Sequence, residues 1–149
     1  MKVRCLYNTA TALPEPTIAH GCFERTVLHI TPGKEYTVYG IVSYTFLPGS
    51  MPSIQCLIRD DLEDISNYSS LLFEVLECNL GNGEWHFCLH NKGRLGFVLS
   101  SKKLATDEVF YEQFVEREGD ARERFDEWCK TIDMTENNNV CLPEEFETH

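Results

Sequence analysis

The hydrophobic period of the chain changes once, near residue 104, and that change fixes the fold class. Up to residue 103 the apolar residues come in short runs rich in β-branched and aromatic side chains, broken by Gly, Pro and Asn. Beyond it they recur at helical spacing. Strands followed by helices define an α+β chain, with the helices packed against an antiparallel sheet.

Within the first part, Thr31-Pro32-Gly33-Lys34 is a turn signal, and residues 35–46 (EYTVYGIVSYTF) read as a long strand. Gly40 in its middle predicts a bulge or a sharp bend, because glycine weakens a flat strand. Further strands are predicted over residues 2–7, 54–58, 71–78, 84–90 and 94–100. Gly81-Asn82-Gly83 and Asn91-Lys92-Gly93 are the tight turns between the last three. Five or six such strands predict a strongly bent antiparallel sheet or a small barrel. Residues 60–64 (DDLED) read as a solvated acidic turn, and Asn67-Tyr68-Ser69-Ser70 as a loop.

In the second part, Phe110, Tyr111, Phe114 and Val115 form one apolar stripe, with Thr106 and Asp107 as cap and first-turn carboxylate and Gly119 as the stop. Asp120 with Glu123 three residues later resembles a capping box. Ala121, Phe125, Trp128, Cys129 and Ile132 then lie on one face, and Asn137-Asn138-Asn139 ends the helix. Both stripes are expected to dock on the sheet, since helices this short gain their stability by packing. The 149 residues read as one domain: a β scaffold (1–103), an acidic helical region (104–135) and a loose tail (136–149).

Charge follows the same division. The formal net charge is −11. Residues 1–103 hold nine basic and ten acidic residues, whereas residues 104–149 hold four basic and fourteen acidic ones. So acidic a surface is a poor grip for a phosphate backbone, which excludes nucleic acid as a partner, and it complements a basic protein. No run approaches the 18 apolar residues of a membrane span, and the N-terminus has no apolar run of signal-peptide length. The seven cysteines are odd in number and contain no Cys-x-x-Cys pair, which points to free thiols in a reducing cytoplasm and to neither a disulfide framework nor a zinc knuckle.

Three patterns bear on chemistry. His86-Phe87-Cys88-Leu89-His90 would place two imidazoles and a thiol on one face of a strand, with Trp85, Phe87 and Leu89 facing the core. An amphipathic strand gives the same pattern and no further ligand is in view, so no metal, cofactor or catalytic residue is assigned; an enzyme centred on His86, Cys88 and His90 stands as the alternative reading. Gly81-Asn82-Gly83 does not lead into a helix, which disfavours a dinucleotide site. The acidic residues offer an interface. Candidate partner-binding residues are Asp60, Asp61 and Asp64 in the turn, and Glu112, Glu116, Glu118, Asp120, Glu123, Asp126 and Glu127 in the helical region. Tyr68 and Trp85 are candidate aromatic anchors.

The segment Gly33-Lys34-Glu35-Tyr36-Thr37-Val38, following Lys2-Val3-Arg4-Cys5 and preceding Ile58-Arg59-Asp60-Asp61 and Leu72-Phe73-Glu74-Val75, resembles a group of small bacterial proteins with an SH3-like barrel segment. That group is similar to immunity proteins of polymorphic toxins. The resemblance covers residues 1–100 and implies fold more than function; it carries over no catalytic residue. It implies an immunity or interaction role; with the free thiols, the open sheet edges and the acidic surplus, the expectation is a cytoplasmic protein, monomeric or homodimeric, that neutralises a basic toxin such as a nuclease, the acidic helices acting as a surrogate for nucleic acid. A bacterial or phage regulatory interaction domain is the third reading.

Overall fold

Ten consecutive residues rich in Tyr, Val and Ile make β2 (Glu35–Tyr44) the strand around which the rest is assembled. The structure is a computed structural model that describes residues 1–80 and 84–139. It is an α+β fold, an open antiparallel sheet of seven strands packed with three helices. The strands are β1 (Lys2–Cys5), β2, β3 (Ser53–Arg59), β4 (Ile65–Ser69), β5 (Phe73–Glu77), β6 (Trp85–Lys92) and β7 (Leu95–Ser101). The helices α1 (Lys102–Thr106), α2 (Glu108–Glu116) and α3 (Ala121–Asn139) follow.

One edge of β2 pairs with β3 and, through it, with β4. The other edge is shared: residues 35–37 pair with β1, which carries β5, and residues 41–44 pair with β7, which carries β6. The change of partner falls at the bulge where the β2–β3 register shifts between Val38 and Gly40. Because side chains alternate with period 2, one extra residue swaps the parity of the two faces. Before the bulge Tyr36 and Val38 enter one apolar cluster; after it Val42 enters the opposite one. Gly40 is required there: a Cβ would lie 2.7 Å from Leu57 Cδ1 and 3.1 Å from Ser100 Oγ, and that hydroxyl donates to the Tyr39 carbonyl at 2.7 Å.

The sheet is therefore covered on both faces. Val3, Cys5, Leu13, Leu28, Ile30, Val38 and Leu72 form a core beneath the N-terminal loops and their 3-10 turns. Val42, Leu57, Val98, Leu104, Phe110, Phe114, Phe125, Cys129 and Ile132 form a second core beneath the helices. The second predicted helical stripe packs through Ala121, Phe125, Cys129 and Ile132, all buried, whereas of the first only Phe110 and Phe114 are buried and Val115 is exposed. Tyr39 donates to Asp133 at 2.6 Å and Arg59 bonds Asp126, so α3 is tied to the sheet by polar bonds as well. The six described cysteines are free, four of them buried.

The structure adds elements that the sequence did not announce. There are seven strands rather than five or six, and β4 occupies residues read as turn and loop. β4 (ISNYS) has only two large apolar side chains; pairing with β3 and the burial of Ile65 and Tyr68 hold it in place. Helix α1 begins before the expected cap: Ser101 Oγ accepts from Leu104 N at 3.2 Å, while Asp107 caps α2. Helix α3 continues through Asn137-Asn138-Asn139, where a stop was expected. The tail beyond Asn139 and the Gly81-Asn82-Gly83 turn lie outside the described residues.

The expected facing of β6 holds for Trp85, which packs on Trp128 of α3, and is reversed beyond it. Phe87 and Leu89 point outward, 56% and 62% exposed. Cys88 instead packs against the helix-side core, and His90 is turned to α1. Register explains the inversion: Cys88 lies opposite Val98, which the helices bury completely, whereas Phe87 and Leu89 lie opposite Leu99 and Phe97.

Candidate functional site

The acidic turn of residues 60–64 closes the β3–β4 hairpin, and its three aspartates are the knots of that region. Asp60 N donates to the Asp64 carbonyl at 2.9 Å, and Glu63 takes a left-handed conformation (φ 60°). Asp60 is buried; its Oδ1 accepts from Leu62 N at 2.9 Å and Asp64 N at 3.2 Å, and its Oδ2 accepts from Tyr68 Oη at 2.7 Å. Burial, then this bond to Asp60, push the Tyr68 hydroxyl well above the usual tyrosine range. Asp60 and Tyr68 thus build the turn from within and present no surface to a partner.

Asp61 faces the other way, to the loop that precedes β2. It accepts from Lys34 Nζ at 2.7 Å, Thr31 Oγ1 at 2.6 Å and Tyr36 Oη at 2.8 Å. The Lys34 bond is the main reason that its carboxyl sits at about 2. Asp64 reaches the junction of α2 and α3, where Arg117 and Arg122 both donate to it. The Arg117 bond, above all, holds Asp64 below the usual carboxylate range. Arg122 also donates to the carbonyls of Phe114 and Ile65 at 3.0 and 2.9 Å. Burial would raise the Asp126 carboxyl, but its bonds to Arg59 and Lys130 outweigh that and hold it low. Asp61, Asp64 and Asp126 are therefore already engaged in ion pairs.

The other expected acidic residues stand free of such pairs. Glu112, Glu116, Glu118, Asp120, Glu123 and Glu127 are exposed and make no ion pair among the described residues. Glu112 and Glu116 lie one turn apart on α2, as Glu123 and Glu127 do on α3, and Glu118 and Asp120 occupy the junction between the helices. Trp85 is half-buried, its ring centroid 5.3 Å from that of Trp128 on α3.

Beside Glu112 and Glu116 runs a groove between α2 and the far end of β2. It has two hollows, of about 330 and 370 Å³, that share Tyr44, Arg94, Tyr111 and Glu112. Phe46, Gln55, Asn67, Val115 and Glu116 line one hollow, and His90, Lys92, Leu95 and Glu108 the other. Each hollow falls within the size range of ligand-binding clefts. Phe46 packs on Tyr44, centroids 4.8 Å apart, and Arg94 is held over the groove by its bond to the Phe46 carbonyl at 3.2 Å. Burial, with Tyr44 nearby, pushes the Tyr111 hydroxyl to about 12, so it remains a neutral donor and acceptor. Lys92 is paired with Glu108 at 2.9 Å. Aromatic walls edged by unpaired carboxylates suit a cationic side chain, which lays its stem on a ring face and its head on the acids. Tyr44, Arg94 and Tyr111 were not among the partner-binding residues expected from the sequence. Tyr111 was read as part of a core stripe, and only the depth of α2 docking shows that Phe110 and Phe114 take the core while Tyr111 and Val115 edge the groove.

His86, Cys88 and His90 do share one face of β6, but it is the face beneath the helices. His90 is nearly buried, with Nε2 2.7 Å from the Ala105 carbonyl. Among the described residues no three His, Cys, Asp or Glu side chains gather as a metal-binding group. Burial raises the Cys5, Cys22, Cys56 and Cys129 thiols, Cys56 to about 11, which disfavours their thiolates. No described helix is long and apolar enough to cross a membrane. Comparison of the chain with protein-family models, with curated proteins and with solved structures finds no match.

Proposed function

We propose that this chain is a protein-binding protein of the immunity type, which neutralises a toxin with a basic surface by direct contact. The observation that carries the reading is the division among its acids. Asp60, Asp61 and Asp64 of the β3–β4 turn are consumed in holding the fold, while six on α2, α3 and their junction are exposed and unpaired among the described residues, two of them, Glu112 and Glu116, at the edge of an aromatic groove. Unpaired surface carboxylates cost little in a monomer, and together they set up a field that steers a cationic partner. Tyr44 and Tyr111 supply the flat apolar contacts that charge alone lacks. Under this reading Glu112 and Glu116 meet Lys or Arg side chains of the toxin at the lip of the groove, and Glu118, Asp120, Glu123 and Glu127 extend the contact.

The test is rescue in cells. Co-expression of the chain with the toxin domain encoded beside its gene is expected to restore growth, and the double variant Glu112→Lys/Glu116→Lys to lose that protection while keeping the far-ultraviolet spectrum of the parent. Growth arrest that persists with the parent chain, or rescue undiminished by the double variant, would overturn the assignment.

A further inference from the structure

The β6–β7 hairpin carries an apolar face that nothing in the described chain covers. Phe87 and Leu89 are more than half exposed, and Phe97 and Leu99 lie beside them across the hairpin, with the Phe87 and Phe97 rings 5.3 Å apart. The N-terminal loops cover the rest of this sheet face but do not reach so far: their apolar cluster includes none of these four residues. β6 is also an edge strand. Among the described residues it pairs with β7 alone, so the backbone N–H and C=O groups of alternate residues are turned outward along its open side.

We propose that this edge and face are occupied by a second copy of the chain, joined by antiparallel pairing of β6 with the partner's β6 about a two-fold axis. The charge distribution selects a copy. Residues 85–101 contain Lys92 and Arg94 and no carboxylate, so two chains of net charge −11 meet here without acid facing acid. Glu84 precedes the strand and Lys92 ends it, so antiparallel pairing brings the acidic end of one strand toward the basic end of the other. An axis beside Cys88 sets Phe87 against the partner's Leu89, and does so twice, burying the two most exposed apolar side chains of the hairpin. The bulge between Leu89 and Lys92, with Asn91 left-handed (φ 48°), limits the regular edge to the first six residues of β6. So short an edge buries on the order of half the ~800 Å² per partner of a standard interface, which predicts a weak, reversible dimer.

Sedimentation equilibrium on the full chain tests this, from low-micromolar to roughly millimolar protein. A monomer–dimer equilibrium is expected. Leu89→Lys, which places a charge on the apolar face at a site already exposed, should weaken it by about tenfold or more. Val75→Lys on β5, an edge strand elsewhere in the sheet, should leave it unchanged. Hydrogen exchange on the parent chain gives a reading that needs no variant: the outward β6 amides should slow as concentration rises, and those of β4 and β5 should not. A single monomeric mass at every concentration overturns the proposal, as does a dimer that survives Leu89→Lys or dissociates on Val75→Lys. Protection of β6 that is independent of concentration also overturns it, by assigning the edge to another segment of the same chain.

Discussion

Asp60 shows how a single side chain can settle a stretch of backbone. It satisfies two amides and one hydroxyl inside a closed turn. Asp60→Ala would leave Tyr68 Oη and both amides short of a partner in a buried setting. A loss of about 2–3 kcal/mol is expected in urea unfolding, since an orphaned buried polar group costs more than an average hydrogen bond. Its neighbour gives a different signature. Asp61 titrates at about 2 in the fold, held there first by Lys34, against roughly 3.9 in an unfolded chain. A carboxyl depressed on folding contributes stability that is complete above its unfolded pKa and disappears as pH falls toward the folded one. Asp61→Asn should therefore be less stable than the parent at neutral pH, with the gap narrowing as pH drops from about 4 to about 2. Thermal melts at several pH values would show it; a gap independent of pH would mean that the ion pair with Lys34 contributes nothing.

Among the elements, β2 carries the most consequence, and its bulge is the reason that one strand serves two cores. Gly40 was legible as a bulge site because a glycine inside a run of β-branched and aromatic residues has few other uses. Its severity was not legible, for it depends on Leu57 from β3 and Ser100 from β7. Gly40→Ala forces a methyl into that space and is expected to cost about 1–3 kcal/mol, as overpacking of a filled core does. If the melting temperature of this variant matched that of the parent, Leu57 and Ser100 would be looser than their contacts imply. α2 gives the complementary lesson. Its period predicted a helix, and a helix formed, but four apolar residues on a stripe did not all go inward. A helix lying on a sheet presents only part of its stripe to the core, and Tyr111 and Val115 were left at the rim.

Over the whole molecule the charge is unevenly used. Lys34, Arg59, Arg117 and Arg122 neutralise Asp61, Asp126 and Asp64 next to the sheet, which among the described residues leaves six unpaired acids on α2, α3 and their junction. A field of this kind acts on encounter more than on residence. The Glu112→Lys/Glu116→Lys variant should slow association with a basic toxin by about tenfold at low salt, with a smaller effect on dissociation. The deficit should shrink as ionic strength approaches physiological values, where the Debye length is about 8 Å. Stopped-flow association at two salt concentrations is the check, and an association rate insensitive to both salt and charge reversal would remove steering from the mechanism.

The sequence by itself determined the α+β class, the long second strand with its bulge, the two helical stripes and the placing of the acidic surplus after residue 103. All of these rest on local periodicity, turn chemistry or simple counting. The tertiary structure alone decided which acids are free and which are spent, because Asp64 and Arg117 lie 53 residues apart in the chain and meet only through the docking of α2. It also made a strand of the polar segment Ile65–Ser69, whose ladder comes from β3. The facing of β6 was decided in the same way. The local pattern, with Trp85, Phe87 and Leu89 on one side and Cys88 between two histidines on the other, pointed to the more apolar side as the inner one, and tertiary packing overrode it. That choice came from Val98 across the ladder and from the helices that cover it, and it left Phe87 and Leu89 facing out.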